Sequence, residues 1–236
     1  MCGRFTLHTP MTDIQLAFKG FTFPAEWEAQ YNIAPTLRIL HVANDGDRTA
    51  ATAKWGLVPF WAKDPKIGSR MINARAETLA SKPAFRDAYQ HKRCIIIADG
   101  FYEWKKSPEG KTKTPMYITV NSGAPFAFAG LWDTWKQPDG DRLKTCTIIT
   151  TEPNALMADI HNRMPVILPP TAYDLWLDAD TTEPEVLNGL LVPFPAEAMS
   201  AHPVSNTVNS VRNEGRTCID PVSAEDQARP KQLSLL

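Results

Sequence analysis

The 236-residue chain has little cysteine, and none of it is closely paired. Its four thiols, Cys2, Cys94, Cys146 and Cys218, stand far apart, which excludes a zinc knuckle or a C-x-x-C redox motif. The five histidines add no metal-ligand spacing, so neither a metal nor an organic cofactor is expected. A disulfide framework is not expected in a cytosolic chain of this size. Long apolar runs are absent as well: none approaches the roughly 20 residues of a membrane span. The opening Met1-Cys2-Gly3-Arg4-Phe5 leads into a strand rather than a signal peptide, and the expected compartment is cytoplasmic. There is no internal repeat and no low-complexity block. A large charge excess is missing too. The net charge of −1 argues against a general polyanion binder.

What is present is apolar content of 43%, enough for one sizeable core. Charge is uneven along the chain. Residues 1–118 carry 17 Lys and Arg against 11 Asp and Glu, and residues 119–236 carry 8 against 15. Either the first half builds a local basic surface, or the halves interleave and the asymmetry disappears. Short β-like segments dominate, at Gly3–His8, Arg38–Val42, Thr52–Leu57, Arg93–Ala98, Tyr102–Lys105, Met116–Val120, Phe126–Leu131 and Thr145–Thr151. Helical patterns are fewer: Met11–Phe18, Ala76–Ser81, Pro153–Asp159, Thr171–Leu177 and Pro184–Leu190. Thr9 before Pro10 reads as a helix N-cap, and Thr182 precedes another first turn. Twenty prolines leave little room for long helices. The pattern predicts an α+β fold, a single compact domain around a curved, barrel-like, mainly antiparallel sheet with short peripheral helices. The domain is expected over residues 2–221, with a tail at 222–236 and a monomeric state.

Cys94 and Cys146 sit within apolar strands and read as small buried hydrophobes. Cys2, at the very start of the chain, fits that reading poorly. Removal of Met1 would leave an α-amine and a thiol on one residue, each with a reference pKa of about 8. Such a 1,2-aminothiol can condense with an aldehyde through the amine and close a five-membered thiazolidine through the thiol. Ring closure is intramolecular and therefore fast. From Met1-Cys2 alone, an incidental residue in a strand is the simpler reading. Other segments collect chemistry: Asn73 to Thr78 holds an amide, a guanidinium and a carboxylate, Glu103 lies between Tyr102 and Trp104, and His161 follows a short helix. Each taken singly has a structural reading, as a turn residue, a strand residue or a helix-end residue.

Taken together and in order, they are specific. The motifs are Met1-Cys2-Gly3-Arg4-Phe5, Tyr31-Asn32-Ile33-Ala34-Pro35-Thr36, Trp55-Gly56-Leu57-Val58-Pro59, Asn73-Ala74-Arg75-Ala76-Glu77-Thr78, Asp99-Gly100-Phe101-Tyr102-Glu103-Trp104, His161-Asn162-Arg163-Met164-Pro165 and His202-Pro203-Val204-Ser205 with Val208-Asn209 behind it. Over residues 2–221 the chain strongly resembles the SRAP family, the SOS-response-associated peptidases or abasic-site processing proteins. The resemblance implies covalent capture of abasic sites in single-stranded DNA as a thiazolidine on Cys2, shielding the lesion during replication-associated repair. It implies that Asn73 orients the sugar-derived part, that Glu103 moves protons at the amine and the departing hydroxyl, and that His161 acts at the sugar-ring oxygen. Arg4, Arg75 and Arg163 would contact DNA, the first two at phosphates, and Trp61 and Trp104 would stack on exposed bases. Strand cleavage by β-elimination and removal of its own Met1 are compatible with it, and nucleoid association follows from such a substrate. The rival readings are an N-terminal-nucleophile thiol hydrolase or peptidase, and a non-covalent reader of modified DNA. Finally, Gln232-Leu233-Ser234-Leu235-Leu236 resembles a peptide that docks on the replication sliding clamp, departing at its last position, where Leu replaces an aromatic.

Overall fold

In a computed structural model of the protein, residues 2–222 are described. The clamp-like segment Gln232–Leu236 and nearly all of the expected tail lie outside the described residues. In chain order the elements are β1 (Phe5–Leu7), α1 (Met11–Ala17), β2 (Gln30–Ile33), β3 (Arg38–Ala43), β4 (Ala50–Trp55), β5 (Asn73–Arg75), α2 (Arg86–His91), β6 (Arg93–Ala98), β7 (Gly100–Lys106), β8 (Lys113–Val120), β9 (Phe126–Lys136), β10 (Arg142–Thr151), α3 (Ala155–Ala158), β11 (Met164–Pro165), β12 (Ile167–Leu168), α4 (Tyr173–Leu177), α5 (Pro184–Gly189) and β13 (Met199–Pro203).

Two sheets share one core. The first has the order β13-β8-β7-β1-β2. The second closes on itself, because β10 pairs with β4 and also with β9, giving the circuit β10-β4-β3-β6-β9-β10. Only the β4–β10 contact in this five-stranded barrel is parallel. Closure leaves no open edge in the barrel. It also explains why β6 reads as a continuous apolar run: all six of its residues are buried. Phe5 joins the two sheets. Its ring lies 5.2 Å from that of Trp55 and 5.8 Å from that of Phe128, edge-on to both. The fold is α+β and mainly antiparallel, as the strand pattern implies.

Several local expectations change. The Ala76–Ser81 pattern shrinks to a single 3₁₀ turn at Ala76–Thr78. Thr9 does not cap α1: Pro10 holds the cap position, and the Thr9 hydroxyl donates to Asp99 Oδ2 at 2.8 Å. A buried carboxylate that also accepts from the His8 and Thr9 amides outcompetes a helix end for that hydroxyl. At α5 the cap position falls on Glu183, one residue after Thr182. Cys2 is fully buried within the main core, contrary to the surface position its place in the chain suggests. Both halves of the chain build one barrel, the adjacent strands β4-β3-β6 of the first half being closed by β9 and β10 of the second.

Candidate active site

Register delivers four of the expected residues to one place. β1 runs antiparallel to β7 with Phe5 opposite Phe101, and the Tyr102 amide donates to the Arg4 carbonyl at 2.9 Å. The residues before β1 therefore run alongside Glu103. β10 supports the other pair. Ile148 faces Gly130 of β9 and Asn73 of β5, so those strands lie on opposite edges of β10. Thr150 likewise faces Arg75 of β5 and Pro165 of β11. The C-terminal end of β10 thus carries Asn73 on one edge and, just ahead of β11, His161 on the other.

Asn73 Nδ2 donates to the Cys2 carbonyl at 2.8 Å, fixing the start of the chain. Asn73 Oδ1 is buried and has no hydrogen-bond partner among the described residues. A buried acceptor of this kind is costly unless a ligand or water satisfies it. Glu103 is 3% exposed, and its Oε2 lies 4.0 Å from His161 Nε2, beyond direct hydrogen-bond reach. Burial raises the Glu103 pKa and lowers that of His161. Burial and the Glu103 charge together push the Cys2 thiol well up, so it stays protonated near neutrality. His161 Nδ1 lies 3.1 Å from the Arg163 amide nitrogen and 3.2 Å from the Arg163 carbonyl oxygen. One residue thus offers a donor to the neutral ring and an acceptor to the charged ring, a setting suited to a group that changes protonation state.

The residues expected at DNA are placed differently from one another. Arg75 is exposed on the wall of a cleft of about 480 Å³ that also presents Arg70, Asn73 and Lys82. Trp61 is 50% exposed beside Phe60, in a neighbouring hollow shared with Lys63, Lys66 and Arg70. Trp104 is half-buried, and its Nε1 donates to Asn209 Oδ1 at 2.7 Å. Arg4 is buried in the wall: Nη1 donates to Asn32 Oδ1 at 2.5 Å and to the Val208 carbonyl at 2.7 Å, and its guanidinium lies 5.8 Å from the Trp104 ring. Its first task is to tie the Tyr31-Asn32 and Val208-Asn209 motifs together behind that indole. Arg163 grips Glu77 with two parallel bonds of 2.9 and 2.8 Å and donates to the Thr150 carbonyl at 2.6 Å. Its guanidinium is engaged within the protein rather than free at the surface.

Sequence reasoning missed Arg70, Lys66, Lys82 and the clamping role of Glu77. One signal was readable: Lys54, Lys63, Lys66, Arg70, Arg75, Lys82 and Arg86 fall within one stretch that holds few acidic residues. Among the described residues no helix is long and apolar enough to cross a membrane, and no group of three or more His, Cys, Asp or Glu could hold a metal ion.

A closed barrel flanked by a second sheet, with the chain's second residue enclosed beside an Asn, a Glu and a His, defines a class. Residues 1–211 match the family described as SOS response associated peptidase (SRAP), and the chain belongs to that family. Among its relatives, it is 50% identical to abasic site processing protein YoqW of Bacillus subtilis, over 93% of this chain and 99% of that one. It is 32% identical to abasic site processing protein YedK of Escherichia coli, over 94% and 100% of the two chains. It is 36% identical to abasic site processing protein HMCES of Gallus gallus, over 77% of this chain and 61% of that one. A crystal structure of a Bacteroides thetaiotaomicron protein superposes with a TM-score of 0.84 at 27% identity, covering 94% of this chain and all of the other.

Proposed function

We propose that the chain acts on abasic sites in single-stranded DNA and captures them covalently as a thiazolidine on Cys2, after removal of Met1. The observation that carries this reading is the enclosure of Cys2 by Asn73, Glu103 and His161. The names of the relatives point to the same lesion. In the proposed sequence, the small fraction of His161 that is protonated donates to the sugar-ring oxygen and opens the hemiacetal to the aldehyde. The free Cys2 amine adds to the aldehyde carbon to give a carbinolamine. Glu103, whose protonated form burial favours, gives its proton to the departing hydroxyl, and one water leaves as the C=N bond forms with its nitrogen still protonated. The Cys2 sulfur then bonds to the iminium carbon, the C=N π pair returns to the nitrogen, and the thiol proton passes to Glu103. Asn73 Oδ1, which has no hydrogen-bond partner among the described residues, holds a hydroxyl of the opened sugar.

The protonated, buried thiol favours this order over a thiol hydrolase, which needs a thiolate as its first nucleophile. Strand cleavage by β-elimination from the imine is a side branch of the same scheme. The test is a denaturing gel of the protein with single-stranded DNA bearing an abasic site, followed by mass spectrometry of the N-terminal peptide. A crosslink with the combined mass of the two reactants minus one water is expected, and Cys2→Ser, which keeps the amine but cannot form the thiazolidine, should give no stable product. Undiminished stable crosslinking by Cys2→Ser, or by protein that retains Met1, would overturn the mechanism.

A further inference from the structure

The β7–β8 hairpin carries charge that neither the core nor the proposed chemistry uses. Lys106 of β7 and Lys113 of β8 are direct cross-strand partners, as are Trp104 and Pro115. Side chains alternate along a strand, so Trp104, Lys106, Pro115 and Lys113 share one face of the hairpin. Both lysines are exposed, and neither has an ion-pair partner among the described residues. Like charges placed directly opposite each other destabilise an antiparallel pair, and a bridging anion would reverse that cost. The pair also stands close to the chemistry. Both ammonium groups act electrostatically on His161, and Lys113 acts on Glu103 as well. The other cationic surface, with Arg70, Arg75 and Lys82, borders the site at Asn73 of β5. Basic groups carried by two different sheets thus stand near the four central residues.

From this arrangement we infer that Lys106 and Lys113 form a second phosphate-binding jaw, which holds the DNA strand on one side of the lesion while the Arg70–Arg75–Lys82 cleft holds it on the other. Trp104, on the same face, supplies the aromatic surface that single-strand binders place beside backbone-tracking cations. The inference rests on the proposed single-stranded DNA substrate and adds to it a path across the molecule. Because the two jaws contact opposite sides of the lesion, each senses nucleotides on its own side only.

The experiment measures binding of single-stranded oligonucleotides carrying a tetrahydrofuran abasic mimic, which has no aldehyde and reports binding without crosslinking. Three oligonucleotides are compared: lesion central, truncated on its 5′ side, and truncated on its 3′ side. The proteins are the wild type, Lys106→Met/Lys113→Met, which keeps the apolar stems and removes the charges, and Arg70→Met/Lys82→Met. On the central oligonucleotide, loss of two single-strand phosphate contacts should lower the slope of log affinity against log salt by about 1.4, with affinity down roughly tenfold near 0.1 M salt. The loss in the Lys106/Lys113 variant should vanish with one truncated oligonucleotide, and that in the Arg70/Lys82 variant with the other. Wild-type affinity and slope in the Lys106/Lys113 variant, or loss of both effects on the same side, would overturn the second jaw. Failure of the wild type to crosslink authentic abasic DNA, or to bind the mimic at all, would overturn the proposed function and the jaw with it.

Discussion

Glu103 is enclosed so fully that its ionised form is disfavoured, and this has a consequence for stability. A carboxyl whose folded pKa exceeds its usual value of about 4.3 binds its proton more tightly in the native state. Native stability therefore falls as pH rises from about 4.3 through the folded value, and stays reduced above it. Glu103→Gln removes that loss. The variant should melt at a higher temperature than wild type at pH 8, by about 2–4 °C for each kcal/mol relieved in a chain of this size, and at the same temperature at pH 4. It should also crosslink more slowly, an exchange of activity for stability. Thermal melts at the two pH values check this, and an equal shift at both would show that the carboxyl is not penalised by burial. A second residue-scale prediction separates two roles for Arg163. Glu77 holds the Arg163 guanidinium, and the Arg163 peptide flanks the His161 ring. Glu77→Gln should slow capture about tenfold, part of the roughly 10²–10⁴ that an aligned acid–base group contributes, without tighter DNA binding. Single-turnover rates and binding isotherms decide it. Tighter binding at an unchanged rate would make Arg163 a phosphate contact released from its partner.

At the scale of elements, the basic cleft depends on a close contact between two glycines. The 3₁₀ helix Pro65–Arg70 carries Lys66 and Arg70 and lies against the end of β4. A Cβ on Gly68 would stand 2.6 Å from the Gly56 carbonyl oxygen, and one on Gly56 would stand 2.6 Å from the Gly68 carbonyl oxygen. Gly56 also has φ of +125°, which suits glycine alone. Gly68→Ala must push the 3₁₀ helix off the barrel, an overpacking that costs about 1–3 kcal/mol. The expected result is a Tm lower by several degrees and weaker binding to single-stranded DNA, with the Cys2 environment intact. Melting curves and binding titrations together test this. Unchanged DNA affinity in a clearly destabilised variant would mean that the 3₁₀ helix does not position the cleft.

For the whole molecule, a net charge of −1 hides a local field. The cations between residues 63 and 82 are exposed along two hollows that share Arg70, whereas the fully buried Arg93 spends its charge on carbonyls of Trp176, Tyr89, Gln90 and Thr181. A count of Lys and Arg cannot tell these apart, because one set faces solvent and the other holds α2 and α4 onto β6. DNA affinity should therefore fall steeply with salt despite the neutral total. Arg75→Ala should weaken binding to intact and abasic-mimic single strands alike and reduce the salt slope by about 0.7. A loss confined to the abasic-mimic strand would assign Arg75 to the lesion instead of the backbone.

The sequence by itself determined the long strands, because β6, β9 and β10 are rich in β-branched and aromatic residues and are bounded by Pro, Gly and Asp. It also supplied the residues proposed to carry the chemistry, through ordered motifs that are specific together and not singly. Short pieces such as β2, β5 and β13 were not legible, for their pairing comes from distant partners rather than from local propensity. The tertiary structure alone decided the parallel closure of β4 on β10, the burial of Cys2 and the inward turn of Arg4. It also decided that Asn73 and His161 flank the same end of β10 from opposite edges. Arg4 finds its carbonyl partner 204 residues away. Contacts of that span are chosen by register and by the packing of one closed core, and no local pattern of side chains records either.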